Sequence, residues 1–276
     1  YDTFPNAHNG YGDFSHLEEA SVDDCADFFD TWYAPTNAVL TVGGDLDVTV
    51  TEGLVRRHFD DVPARPRPVR GSFAEPALTT ERWQTHVDAY APLPALSAGY
   101  RLPDPSLDLP GYLAAVVLGA VLTDSDSARL QRTLVQRDGL VTDISAGCGL
   151  FGEPLDARDP DPFVITAVHS PQATARQVLD AVDTELATLA VDGPGDTELA
   201  GVVARWRAGA HRERDRLVSR TLDAGSSALL FDRPTLSAEL SDMIAAVTSE
   251  QVAAAAAALR PDARAVVEIQ PAGGAA

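Results

Sequence analysis

A unit made of a capped helix, a proline and a β-rich run occurs twice in this 276-residue chain, each time with the same internal spacing. Ser21-Val22-Asp23-Asp24 has the form of a capping box, in which a hydroxyl accepts from the free amides of the first turn and an acidic side chain follows three residues on. The helix it opens extends to Tyr33, Pro35 stops it, and Ala38-Val39-Leu40-Thr41-Val42 follows as a predicted strand. Near the other end Thr248-Ser249-Glu250-Gln251 opens an alanine-rich helix, Pro261 stops it, and Ala265-Val266-Val267-Glu268-Ile269 follows. Cap and first strand alanine are 17 residues apart in both copies, 21 to 38 and 248 to 265. Such a repeat points to two homologous domains. The second copy closes a long segment, whereas the first lies almost at the N-terminus. Equivalence of the two would leave the first domain without its front part and make the chain a fragment.

Between the copies, Asp47 to Phe59 reads as an amphipathic helix with Leu54, Val55 and Phe59 on one side. Pro63-Ala64-Arg65-Pro66-Arg67-Pro68 is stiff and extended, because each proline fixes φ and removes a donor. These signals predict domains at 1–70 and 79–276, with 71–78 as linker. In the second domain Arg82 to Tyr90, Ala95 to Arg101, Val141 to Phe151 and Phe163 to Ser170 read as strands. Leu109 to Leu122 and Ser127 to Arg137 read as helices, and helical patterns dominate from Pro171 onward, at 173–189, 196–215, 218–231 and 237–246. Strands first and helices after predict an α+β fold, a two-layer sandwich with a mixed or antiparallel sheet backed by helices on one face.

Several functions are excluded by charge and composition. The formal net charge is −20 and all 21 basic residues are Arg. Such a surface repels polyphosphate and anionic lipid, so neither nucleic acid nor membrane is an expected partner, while basic peptides would be attracted. The longest apolar run, Tyr112 to Thr123, is about three turns of helix and too short for a bilayer span. No basic and apolar leader opens the sequence, and the expected compartment is cytoplasmic. The two cysteines form no framework. Cys25 shares a helical face with Val22, Ala26, Phe29 and Tyr33 and is expected in a core, and Cys148 lies in a strand-like stretch.

In order and spacing, these segments resemble the pitrilysin/insulinase-like zinc metallopeptidases, the M16 family. His8-Asn9-Gly10-Tyr11-Gly12, the capped helix, and Tyr33-Ala34-Pro35-Thr36-Asn37 leading through the β-rich run to Gly44-Asp45 are similar to the end of that family's first domain, with Asn9-Gly10 in place of the usual single proline. Pro92 to Arg101 resembles the domain-two strand. Ser127-Ala128-Arg129-Leu130 followed by Gln136-Arg137-Asp138-Gly139-Leu140 resembles a Ser-Ser-Arg-Leu…Arg-x-Gly-Leu segment. The resemblance implies the C-terminal portion of an M16 peptidase, forming the non-catalytic half of a peptide-binding chamber. The alternative is a non-catalytic partner or scaffold subunit. Expected partners are a peptide substrate and either an M16-like subunit or the N-terminal half.

The family's zinc motif is His-x-x-Glu-His, two imidazoles on one helical face with a glutamate toward the bound water. Of the six histidines here (His8, His16, His58, His86, His169 and His211) no two are four apart. His16-Leu17-Glu18-Glu19-Ala20 places Ala20 where the second imidazole belongs, and His211-Arg212-Glu213-Arg214-Asp215 reads as a surface ion-pair ladder. Hence no metal ligand, no catalytic residue and no cofactor is expected in this chain, and zinc is expected only upstream or in a partner. Some family members hold the substrate backbone with an Arg and a Tyr seven residues apart. The matching positions here are Val135 and Thr142, which supply neither a guanidinium nor a phenol. No nucleophile elbow, phosphate-binding loop or dinucleotide fingerprint occurs.

Overall fold

Capping chemistry sets where most of the helices begin. In the computed structural model, which describes residues 1–8, 12–149, 152–159 and 161–272, Ser21, Thr174 and Thr248 each close a capping box with Asp24, Gln177 and Gln251. Asp47 and Asp108 cap two further helices through their carboxylates. The elements are α1 (Phe4–Ala7), α2 (Phe14–Glu19), α3 (Val22–Trp32), α4 (Val48–Phe59), β1 (Arg82–Asp88), β2 (Ala95–Arg101) and α5 (Leu109–Thr123). After α5 come a π-helical segment (Gln131–Arg137), β3 (Val141–Gly147), β4 (Pro162–His169) and α6 (Ala175–Asp192). The chain ends with α7 (Asp196–Arg214), α8 (Leu217–Phe231), α9 (Leu236–Ala245), α10 (Ser249–Ala258) and β5 (Arg264–Pro271). Residues 9–11 of the His8–Gly12 turn and residues 150–151 at the end of the expected third strand lie outside the described residues.

Two units result: Tyr1–Pro76 with His211–Ala238, and Ala77–Ala210 with Glu239–Ala276. The first is helical. Its stiff proline run is tied down within the unit, with Arg65 Nη1 donating to Asp30 at 2.6 Å and Thr36 Oγ1 to the Arg65 carbonyl at 2.7 Å. The expected strand at Ala38–Val42 is not formed. The run is extended but lies against α8, where a Cβ on Gly43 would come within 2.2 Å of Thr221 Oγ1 and one on Gly225 within 2.7 Å of Thr41 Oγ1. A strand needs a neighbour's hydrogen-bond ladder, and no strand lies in this unit among the described residues. Cys25 is likewise no core residue. It is exposed, as are Val22, Phe29 and Tyr33 on the same face, because the amphipathic stripe of α3 has no apolar layer over it. Phe29 and Tyr33 stack on each other instead, with ring centroids 4.6 Å apart.

In the second unit the sheet order is β1-β5-β2-β4-β3, antiparallel except for the parallel pair β1–β5. Alternation along the strands sends Leu96, Ala98 and Tyr100 of β2 and Phe163, Ile165, Ala167 and His169 of β4 to one side, where all are buried. Helices α5, α6 and α10 cover that side. Helix α5 is apolar all round, which fits a helix enclosed by neighbours rather than one facing water. It crosses β3 closely, since a Cβ on Gly119 would sit 2.9 Å from the Ala146 carbonyl. The segment resembling Ser-Ser-Arg-Leu…Arg-x-Gly-Leu has a structural explanation. Arg129 makes a two-pronged ion pair with Glu198, both N–O distances 2.9 Å, Leu130 is wholly buried, and Gly139 takes φ +60° to turn the chain into β3.

Replacing Leu118, which is wholly buried on α5, by Ala is expected to cost about 2–5 kcal/mol, against less than about 0.5 kcal/mol for Leu107→Ala at an exposed position. Chemical denaturation of the two variants measures the difference.

Candidate functional site

The side of the sheet turned away from the helices carries the small and polar half of each strand. It presents Ser97 and Gly99 of β2, Val164 and Thr166 of β4, and Ala265 and Val267 of β5, paired across the ladders as Ser97 with Thr166 and Val267, and Gly99 with Val164 and Ala265. Ser97 and Thr166 join their hydroxyls at 3.2 Å. Helices α5, α6 and α10 all pack on the other side, and these residues are half-buried or exposed, so within this unit they form a broad, shallow surface. In Ala95-Leu96-Ser97-Ala98-Gly99-Tyr100 the two large side chains, Leu96 and Tyr100, share one parity, and this leaves Ser97 and Gly99 for the open face.

Beneath the sheet, Arg264 of β5 is 1% exposed and held at Nε and Nη1. Its Nε donates to Glu81 at 2.8 Å, and its Nη1 donates to Asp183 at 2.7 Å and to the Tyr100 hydroxyl at 3.1 Å. Arg176 adds a second cation. It donates twice to Glu81, at 3.1 and 2.8 Å, and lies 4.4 Å over the Trp83 ring. The Arg176 hydrogen bonds, then those of Arg264, hold the Glu81 carboxyl below the usual range, whereas burial pushes Asp183 up. This network joins β1, β2, β5 and α6, and its charges are consumed by one another.

A second polar group closes the β3–β4 connection. The Tyr112 hydroxyl donates to Asp161 at 3.0 Å, and Gly149 N–H donates to the other oxygen of the same carboxylate. Burial pushes up both the Tyr112 phenol and the Cys148 thiol, so the thiol is not an activated nucleophile. His169, buried on β4, faces the Ser170 carbonyl with Nδ1 at 3.1 Å. A carbonyl only accepts, so Nδ1 carries a proton, and the buried Nε2 has no hydrogen-bond partner among the described residues. Val135 packs against the core from the π-helical segment. Thr142 is exposed beside the β3 irregularity and donates its hydroxyl to the Val168 carbonyl at 3.1 Å. Among the described residues no three His, Cys, Asp or Glu side chains gather where a metal ion could sit. A largely apolar cavity of about 260 Å³ between the end of β2, α5 and α10 is lined by Leu102, Pro110, Ala114 and Ala258, with Arg101 and Asp108 also at its wall, the latter occupied in capping α5.

The profile of the family described as the peptidase M16 inactive domain matches residues 19–205. The chain belongs to that family. No curated protein matches the sequence. Among solved structures, a protease from Helicobacter pylori superimposes with a TM-score of 0.78 at 16% identity, over 94% of this chain and 62% of the other. A peptidase M16 inactive domain from Pseudomonas fluorescens gives 0.73 at 20% identity, over 100% and 63%. The ferredoxin protease FusC, in complex with Arabidopsis ferredoxin, gives 0.58 at 15% identity, over 83% and 24%. At these identities the likeness is one of fold, and the chain spans less than two thirds of each of these three structures. An α+β inactive domain of M16 type matches the architecture, and no helix among the described residues is long and apolar enough to cross a membrane.

In this M16 domain Glu81→Gln is expected to cost about 2 kcal/mol near neutral pH, since it removes charge-assisted hydrogen bonds to two arginines. Because the folded Glu81 carboxyl titrates below its unfolded value, its contribution is complete above about pH 4.3 and is lost as pH falls through the lowered folded value. Denaturation of wild type and variant at a series of pH values is expected to show the gap narrowing on acidification.

Proposed function

We propose that this chain is the C-terminal, non-catalytic part of an M16-type zinc metalloendopeptidase and that the helix-free face of its sheet forms part of the wall against which peptide lies. The observation that carries the reading is the M16 inactive-domain match over residues 19–205, together with a sheet whose face of small and polar side chains is turned away from α5, α6 and α10. Over β2, β4 and β5 this surface offers area and hydrogen-bonding groups without a proton-transfer pair, which suits holding an extended peptide. The net charge of −20 favours basic peptides. Ferredoxin bound to a fold neighbour supports a peptide or protein ligand as the class.

The zinc-bearing half is proposed to come from preceding residues or from an M16-like partner subunit. The first unit, with Val22, Phe28, Phe29 and Leu40 exposed and no sheet of its own among the described residues, supports the reading of 1–70 as the tail of a first M16-like domain.

Two measurements test the proposal. The chain by itself is expected to retain no stoichiometric zinc on dialysis, while cleavage of a basic peptide appears only when a zinc-bearing M16 half is supplied. Thr166→Arg on the open face is expected to weaken binding of an arginine-rich peptide about tenfold with unchanged melting. One tight zinc per isolated chain, or peptide binding indifferent to Thr166→Arg, would overturn it.

A further inference from the structure

The two edges of the sheet are treated differently. On the β3 edge the outward main chain is occupied by side chains. Gln131 Nε2 donates to the Ile144 carbonyl at 3.0 Å, and Thr123 Oγ1 accepts from Ala146 N–H at 3.0 Å and lies 3.3 Å from the Ala146 carbonyl. A further strand cannot add there without breaking these bonds.

The β1 edge has no such cover. Ala272 N–H donates to the Asp88 carbonyl at 3.0 Å, which sets the parity of the parallel ladder. In such a ladder a residue turns its N–H and C=O to the same neighbour, and successive residues alternate. Arg82, Gln84, His86 and Asp88 therefore address β5, and Trp83, Thr85 and Val87 address the outside. None of those three has a main-chain partner on the outer side among the described residues, and Val87 is 60% exposed. An uncovered edge of this length is a template for another strand.

We propose that the strand it takes is β1 of a second copy of this chain, paired antiparallel about a two-fold axis through Thr85. The residue sequence Arg82-Trp83-Gln84-Thr85-His86-Val87-Asp88 is complementary to itself in that register. Trp83, Thr85 and Val87, the residues with free outward groups, stand opposite Val87, Thr85 and Trp83 of the second copy, so every outward donor meets an outward acceptor. On the open face Arg82 stands opposite Asp88 of the second copy, and the axis repeats that opposite-charge pair; Gln84 stands opposite His86. On the helix side an aromatic ring faces a β-branched side chain. These are the cross-strand pairings that stabilise antiparallel ladders, and a two-fold interface requires such self-complementarity. Charge selects this register over its neighbours. A slip of two residues one way sets Arg82 against His86, and the other way sets it against Tyr90 and His86 against itself. The two sheets then join into one that is continuous across the axis. This interface is independent of the peptide-binding reading and involves none of the residues invoked for it.

The test is sedimentation of the full chain over a range of concentrations, under reducing conditions because Cys25 is exposed. Wild type is expected to show a monomer–dimer equilibrium. Thr85→Pro removes an outward N–H without touching the main-chain β1–β5 ladder; it also removes the Thr85 Oγ1 bond to Glu268, and is expected to give a monomer with melting lowered only slightly. Arg82→Asp, which sets like charges opposite twice, is expected to weaken the dimer about tenfold, and adding Asp88→Arg to restore it to within about twofold. A wild-type chain that stays monomeric overturns the proposal, even if an extended peptide binds at β1. So does a reversed pair that fails to rescue, which keeps the test decisive should Thr85→Pro not fold.

Discussion

Strand β5 hydrogen-bonds β1 on one side and β2 on the other, pairing Val266 with Trp83 and with Ala98. The sheet is therefore incomplete until β5 has inserted between β1 and β2, and the helices packed beneath have no continuous surface before then. Arg264 marks the same dependence in polar terms. Its buried guanidinium is tolerable only because Glu81, Asp183 and Tyr100 arrive from three other places in the sequence. Long-range pairings of this kind carry a loop-closure cost before they return any stability, so this topology is expected to form late and cooperatively.

One consequence is the division of labour between the faces of the sheet. The side with Leu96, Tyr100, Phe163 and Ile165 is consumed by packing, and its charged groups neutralise one another. What remains for interaction is the opposite face, poor in bulk over β2, β4 and β5, together with the strand edges. Of these edges, β3 is sealed by Gln131 and Thr123 while β1 is not.

Much of the second unit was legible beforehand. Ala95–Arg101 was placed to the residue because it alternates, and α5 nearly so because Asp108 caps a long apolar run. The failures concern what lies opposite a segment. Ala38–Val42 has strand composition, yet it rests on α8 through Gly43 and Gly225, and no neighbour offers it a ladder. Cys25 sits on a correctly predicted amphipathic face, but periodicity reports only that a face is apolar, not that anything covers it. Val135 and Thr142 were singled out by resemblance, and their settings, one against the core and one bonded to the Val168 carbonyl, follow from packing that no spacing rule contains.

The repeated capped helix at 21 and 248 returns with a sharper meaning. Both helices form with their capping boxes, since a cap is a contact over three residues and needs no tertiary partner. The run 17 residues on becomes a strand only in the second copy, where β1 and β2 flank it, and stays unpaired in the first. The amino-acid sequence by itself determined the helix starts, the strand alternation, the acidic surface and the absence of a His-x-x-Glu-His motif, because these are local or compositional. Which runs pair, which apolar faces are covered and which edge stays open were decided only in the tertiary structure, because each depends on a partner distant in the chain.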